Sequence, residues 1–444
     1  MSQSTKMILL YGIVLFLDVL EMTLLNVGLP SIANALRIPN KEIDIVVTAF
    51  IWGLTLMIPL AGWLGQRYGN KRVFIWGQLL FTGASIGCFC AQSLFQLTLF
   101  RIIQGFGGGL IMPVGLALLM NMLSMKERAT ATAKLSLILR LAPALGPILG
   151  GYTLACLGWR WLFLLKLPIA GLCLLASFLW LKTNHEKQEI KRFDFKGLAF
   201  CSTCLGSLLM AMSGLGPIQT GLWSSIGIIS FLLFIKAERK AEAPIIPLQL
   251  FKSRLFCQSN LLQSLAFCMI LGSTFLFSLF LQGDLEFNPT VTGWVLASST
   301  AGMFLAIPVV SIFYKRLGPK PLVMTGFILL GLSLTAIACL KPSASPWLAS
   351  IFMISLGLGN SIIVSTNATT VFTEIPKELM GSASSVYSLT RQMANCFGVA
   401  LSGSLLAMTA NSSLALILML PLVFIGIILG YRIDNKKVLE GLSN

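Results

Sequence analysis

Six ionisable side chains stand inside long apolar runs of this sequence, where a charge is expensive: Asp18, Glu21, Arg101, Arg140, Lys166 and Arg391. At about 1.5 Å of rise per helical residue, each falls within roughly 10 Å of a bilayer midplane. On insertion scales each costs about 2.5–3.5 kcal/mol, so they should face one another and a wet cavity. Asp18 and Glu21 are the only acids among them, and their i, i+3 spacing sets both on one helix face with Cβ atoms about 5–6 Å apart. Two carboxylates that close, away from water, resist double ionisation and share a proton. The chemistry this permits is proton carriage, at Glu21 first or at Asp18. The alternative is structural, with Arg101 neutralising one of the acids. Four bases against two acids leave positive charge over, and a low-dielectric cavity would turn that charge toward an acidic solute. Arg140 and Lys166, with Asn26, are the candidate substrate-cavity residues.

The elements that hold these residues must be membrane helices. Of 444 residues, 56% are hydrophobic and 11% charged, with a mean hydropathy of +0.85, whereas a soluble domain carries roughly 25% charged residues. This balance excludes a soluble globule, a disordered chain, a disulfide scaffold and a cytosolic enzyme with one membrane tail. A net charge of +16 would suggest nucleic acid in a soluble protein. Here the bases fall in short segments between apolar runs, which is how a membrane protein is oriented. The partners expected are therefore the lipid bilayer, protons and a small-molecule substrate, with no nucleic acid, and the chain is expected to act as a monomer. The ten cysteines lie almost all in apolar stretches as small hydrophobes, Cys201 and Cys204 included, so no disulfide is expected. His185 is the single histidine, which argues against a multi-histidine metal site. No phosphate-binding loop is present, and no nucleophile with a histidine base suggests an enzyme. No cofactor is expected; the proton gradient would be the energy source.

Fourteen apolar segments can be counted, from about residues 7 to 29 through 413 to 431, each near the roughly 20 residues a spanning helix needs. The first has no small-residue cleavage site and is expected to remain as an anchor. The two weakest, 197 to 214 and 221 to 236, flank the turn Gly214-Leu-Gly-Pro217 and could instead form a re-entrant pair. With an inside amino terminus, the outer segments hold only Arg37, Lys41, Arg160 and Lys341. Apart from the four bases within spans, the rest of the 32 Lys and Arg fall inside. That asymmetry places both termini in the cytoplasm. Polar linkers at 182–196 and 236–254 divide the chain into a six-helix bundle over 1–194, a two-helix insert over 195–237 and a second six-helix bundle over 238–444. Gln66-Arg-Tyr-Gly-Asn-Lys71 and Lys315-Arg-Leu-Gly-Pro-Lys320 form a faint repeat, as expected of paired transporter halves.

Several stretches resemble the motifs of the major facilitator superfamily. Gly62-Trp-Leu-Gly-Gln-Arg-Tyr-Gly-Asn-Lys-Arg72 resembles its loop signature, through Gly62, Arg67, Gly69, Lys71 and Arg72, with Gln66 where the family has Asp. Leu97-Thr-Leu-Phe-Arg-Ile-Ile-Gln-Gly-Phe-Gly107 is similar to its fourth-helix motif through Arg101, Gln104 and Gly105. Ala142-Pro-Ala-Leu-Gly-Pro-Ile-Leu-Gly-Gly151 resembles the fifth-helix antiporter motif through Gly146, Pro147, Gly150 and Gly151. Three further stretches, Glu21 to Pro30, Gly158 to Pro168 and Ala237 to Phe251, resemble the fourteen-helix drug:proton antiporter group, and Gly381 to Gln392 fits as well, with Arg391 and Gln392. In that group Glu21 replaces Asp and Lys166 replaces Asn.

The resemblance implies an all-α polytopic fold of fourteen transmembrane helices, with two six-helix bundles, two inserted helices and a central cavity. It implies proton-coupled export of amphipathic compounds by alternating access, in a bacterial cytoplasmic membrane, and favours fourteen spans over twelve. Arg101 and Arg391 are then gating or pairing residues. The charge count adds an expectation of acidic solutes, such as a siderophore-like metabolite. The alternatives are a multidrug exporter of lipophilic cations and, in a different class, a passive channel.

Overall fold

A computed structural model describes residues 3–39, 42–122, 125–181, 194–212, 217–240, 248–375, 380–433 and 435. Among them the chain is helical with no strand. The helices are α1 (Gln3–Leu36), α2 (Asp44–Tyr68), α3 (Asn70–Cys90), α4 (Leu94–Met122), α5 (Met125–Leu157), α6 (Trp161–Leu164), α7 (Leu167–Trp180), α8 (Phe195–Met212), α9 (Pro217–Lys240), α10 (Arg254–Gly283), α11 (Pro289–Leu317), α12 (Pro319–Ala338), α13 (Pro346–Thr370), α14 (Met380–Thr409), α15 (Ser412–Ile417) and α16 (Leu420–Tyr431). Helices α6 and α7 form one broken crossing, as do α15 and α16, which gives fourteen. Eleven of the crossings are long and apolar enough to span a membrane by composition alone. Of the other three, α5 and α8 have shorter apolar stretches, Leu141–Leu157 and Phe195–Leu208, and α14 carries Arg391 with a run of Ser, Thr and Asn.

The two weak segments are full helices rather than a re-entrant pair: α8 has 18 residues and α9 has 24. In α9 only 17% of the most apolar window is buried, with Leu222, Ile228, Phe231 and Leu232 exposed, as a lipid-facing helix requires. The turn between them and much of both polar linkers, His185 included, lie outside the described residues.

The chain divides into two compact units, one containing α1 and α3 to α7 with nearly all of α2 and most of α8 and α9, the other containing α10 to α16. Each unit repeats the same internal plan. In the first, α1 packs on α5 and α3 on α4; in the second, α10 packs on α14 and α12 on α13. Glycines make these approaches possible. A Cβ on Gly105 or Gly109 would strike the α2 backbone, and one on Gly146 or Gly150 would meet Thr23 and Leu24 of α1. In the second unit, Gly302 and Gly357 join α11 to α13, and Gly272 and Gly398 join α10 to α14, equally closely. Small residues at helix crossings are how membrane helices associate without a hydrophobic driving force.

The broken crossings repeat too. Pro168 stands at the start of α7 and Pro421 at the start of α16. A proline has no N–H to donate and its ring crowds the carbonyl four residues earlier, so each crossing breaks just before it. The break in the first unit leaves Lys166 at the amino end of α7. The sequence alone reads 160 to 181 as one uninterrupted span, and Pro168 is what interrupts it.

Candidate functional site

In the first unit, α1, α4 and α7 bring Glu21, Arg101 and Lys166 together. All three are at least 98% buried, Arg101 completely. Glu21 is held from both sides: its Oε1 pairs with Arg101 Nη1 and its Oε2 with Lys166 Nζ. Arg101 is fixed further by Nε donating to the Val46 carbonyl at 3.0 Å and Nη1 donating to Gln104 Oε1 at 2.7 Å. Gln104 in turn donates through Nε2 to Ser85 Oγ at 2.8 Å. Aromatic faces complete the enclosure, with Arg101 Cζ 4.4 Å from the Phe50 centroid and Lys166 Nζ 4.6 Å from that of Phe81. A cation against a ring face is stabilised by the ring quadrupole, more so when desolvated.

Asp18, one turn before Glu21, has a different environment. It is 1% exposed and its Oδ1 has no hydrogen-bond partner among the described residues. It lies within electrostatic reach of Lys166 and Arg101 but forms no ion pair with either. Its carboxylate rests against Gly108, where any Cβ would overlap it. Asp18 lines a cavity of about 10 Å³ with Leu17, Gln78, Phe81, Thr82 and Cys173, about the space one water molecule needs. The i, i+3 acids thus share a helix face as their spacing predicts, yet one is clamped by two cations and the other is not.

Gly108, Phe50, Phe81 and Gln78 are neighbours of these charges that sequence reasoning missed. The signal available was the run Gly107-Gly108-Gly109 within a helix. At 100° per residue three consecutive glycines face three directions, and here Gly107 meets α3, Gly108 meets Asp18 of α1, and Gly109 meets α2.

The remaining predicted residues are dispersed. Asn26 is buried in α1; the side chain of Arg140 lies outside the described residues. Arg391 and Gln392 are in the second unit, where Gln392 Oε1 accepts from Asn395 Nδ2 at 2.9 Å and Arg391 stands 5.7 Å from the Phe267 centroid. Within the loop signature, Gly69 has φ 87 and turns the chain from α2 into α3. Arg67 stacks on Trp63 at 5.0 Å and Tyr68 at 5.5 Å, and Lys71 Nζ donates to the Phe178 carbonyl near the end of α7 at 3.3 Å. The counterpart in the second unit has Gly318 at φ 76, with Lys320 Nζ 3.8 Å from the Tyr431 centroid at the end of α16. Asn435 bridges that turn, donating to the Leu317 carbonyl at 2.6 Å and accepting from the Lys320 amide at 3.1 Å. The faint sequence repeat is therefore a structural one: a positive-φ glycine flanked by a lysine that reaches the sixth crossing of its own unit.

The family description Major Facilitator Superfamily matches residues 11–399, and again 261–442. The chain belongs to the major facilitator superfamily. Its fourteen crossings place it with the superfamily's fourteen-helix antiporter group. Similar proteins include the putative multidrug resistance protein MdtD of Cronobacter sakazakii, 29% identical over 90% of this chain and 86% of that one. The multidrug export protein EmrB of Escherichia coli is 29% identical over 90% and 80%, and the riboflavin transporter RibZ of Clostridioides difficile 27% over 92% and 89%. The crystal structure of the POT family transporter PepTSo superposes with a TM-score of 0.71 at 13% identity, covering 99% of this chain and 98% of that one. That of the human organic anion transporter MFSD10 gives 0.64 at 16% identity, covering 97% and 100%; both likenesses concern the fold. As a member of the major facilitator superfamily the protein is a multi-pass membrane carrier that performs secondary active transport of small molecules, and it is not an enzyme.

Proposed function

We propose that this carrier is a proton-coupled exporter of amphipathic small molecules, multidrug in type, with Asp18 as the residue that takes up and releases the proton. The observation that carries the reading is the contrast within one helical turn. Glu21 already has two cationic partners, and a proton arriving there would have to displace a buried ion pair. Asp18 has an open oxygen, no ion pair and a water-sized space beside it. A carboxylate buried in a membrane interior without a direct ion pair is costly, and a proton relieves that cost. Alternating exposure of Asp18 to the two sides of the membrane would load it where protons are plentiful and empty it where they are scarce.

The multidrug reading draws on MdtD and EmrB, both described as multidrug proteins. Lys166 lies against Glu21 and is not a spare charge, so the charge surplus built on Arg140 and Lys166 does not by itself select an acidic solute. Both termini are proposed to face the cytoplasm of a bacterial cell, on the strength of the lysine and arginine asymmetry, and the protein is proposed to work as a monomer.

The test is dye efflux from proteoliposomes with an imposed pH gradient. Asp18→Asn should abolish gradient-driven efflux while leaving solute counterflow intact. Full gradient-driven efflux by Asp18→Asn, or efflux undiminished by a protonophore, would falsify the proposal.

A further inference from the structure

The second unit contains a charge that the coupling site does not use. Arg391 of α14 has no carboxylate within 4.0 Å among the described residues, and its guanidinium stands 5.7 Å from the Phe267 centroid of α10. Tyr387, one turn earlier, interacts with it electrostatically, and the Tyr387 hydroxyl is buried with no hydrogen-bond partner among the described residues. Gln263 of α10 ties the two helices by donating Nε2 to the Tyr387 carbonyl at 3.0 Å, yet its Oε1 is unpartnered. On α13, Asn367 is 1% exposed and neither of its amide atoms has a partner among the described residues. One turn beyond it, Val371 packs in the same apolar cluster as Val386 and Tyr387, and the ring of Phe372 is 5.5 Å from that of Tyr387. The three helices thus carry a cation, a phenol and two amides with hydrogen-bonding capacity unspent among the described residues, beside the rings of Phe267 and Phe372.

Buried polar groups are ordinarily satisfied, because each one left unmade costs about 1–3 kcal/mol. Elsewhere in the unit Tyr314 pairs with Thr370 at 2.8 Å and Gln392 with Asn395, although Ser259, Thr300 and Asn360 also keep a buried side-chain atom without a partner among the described residues. A guanidinium is a planar fork that matches a carboxylate in two bonds, and a phenol and an amide N–H₂ are donors as well. Arg391, the Tyr387 hydroxyl and the Asn367 Nδ2 are donors suited to acceptor oxygens, and Phe267 and Phe372 supply aromatic surface for a flat apolar body. We propose that the second unit holds a recognition site for the polar end of the transported compound, in which Arg391, with the Tyr387 hydroxyl and the Asn367 amide, receives a carboxylate or comparable acceptor oxygen of an aromatic solute. The proposal rests on the transport reading but not on the proton-carrying role of Asp18.

The test is equilibrium binding to the purified protein in detergent of three probes sharing one ring system: 2-naphthoate, 2-naphthamide and 2-naphthylmethylammonium. The wild type should bind naphthoate most tightly and the ammonium least. Arg391→Gln should weaken naphthoate about tenfold or more, as expected for a lost charge-assisted bond, and should change the ammonium little. Arg391→Lys should recover part of the loss, and Tyr387→Phe should weaken naphthoate and naphthamide together. A purely structural Arg391 would weaken all three probes alike, or none, and either result overturns the proposal. So would a wild type without preference for naphthoate over the ammonium. Because binding is measured without a gradient, an Asp18→Asn protein that binds normally but does not couple leaves this site standing, and normal coupling with no selectivity removes it alone.

Discussion

Glu21 and Asp18 differ by one helical turn and by what surrounds each carboxylate, and that difference separates stability from coupling. Glu21→Gln would leave Arg101 and Lys166 buried without the carboxylate that pairs with both. Breaking a buried pair from one side costs about 3–5 kcal/mol, so the thermal unfolding midpoint in detergent, followed by tryptophan fluorescence, should fall sharply. Asp18→Asn removes no ion pair and should unfold near the wild-type temperature. Equal losses in the two variants would erase the division of roles. The sequence made both acids visible through composition, since they are the only acids placed in the middle of an apolar run. Their separate environments were not legible, because position along the chain does not say which side chain of the sixth crossing meets the first, and it is Lys166 that meets Glu21.

At the scale of helices, the glycines carry the close approaches, and matched pairs in the two units predict matched failures. Gly105→Val would drive a side chain into the α2 backbone and Gly357→Val one into Ser299 of α11. Overpacking of this kind costs about 1–3 kcal/mol, so both variants should show lowered unfolding midpoints. Gly62→Ala, at a position with open space around its Cα, should not. Gly69→Ala meets no neighbour either, but its φ of 87 places a β-carbon in the left-handed region at about 1 kcal/mol. A small loss there, with none at Gly62, separates backbone strain from packing. Much of this level could be read beforehand. Loop parity and motif order gave fourteen crossings, and three identical residues in the six-position stretches around Gly69 and Gly318 marked a repeat that the turns and their lysines share. The helix breaks were hidden because a proline within an apolar run also fits an unbroken span, as Pro113 does inside α4. The contacts of Gly107, Gly108 and Gly109 were hidden because a one-dimensional pattern does not say which helix each face meets.

For the whole carrier, charge movement joins the coupling site to the recognition site. If one proton enters for each solute expelled, a neutral solute moves one net positive charge inward per cycle, a singly charged anion two, and a singly charged cation none. Each charge contributes about 2.3 kcal/mol per 100 mV, so potential alone, inside negative, could support a gradient of about fifty-fold for the neutral solute. The anion would gain twice that free energy from the same potential, and the cation would respond only to the pH difference. Potassium diffusion potentials set with valinomycin, at equal pH on both sides, isolate the electrical part. Under that drive 2-naphthoate efflux should steepen with potential more than 2-naphthamide efflux, and 2-naphthylmethylammonium efflux should stay flat. Asp18→Asn should flatten the first two while counterflow continues, since a carrier that cannot bind the proton still exchanges solute for solute. Potential dependence that is identical for all three compounds would mean that protons do not enter in fixed ratio with solute, and a one-for-one exchange through Asp18 could not then describe the cycle.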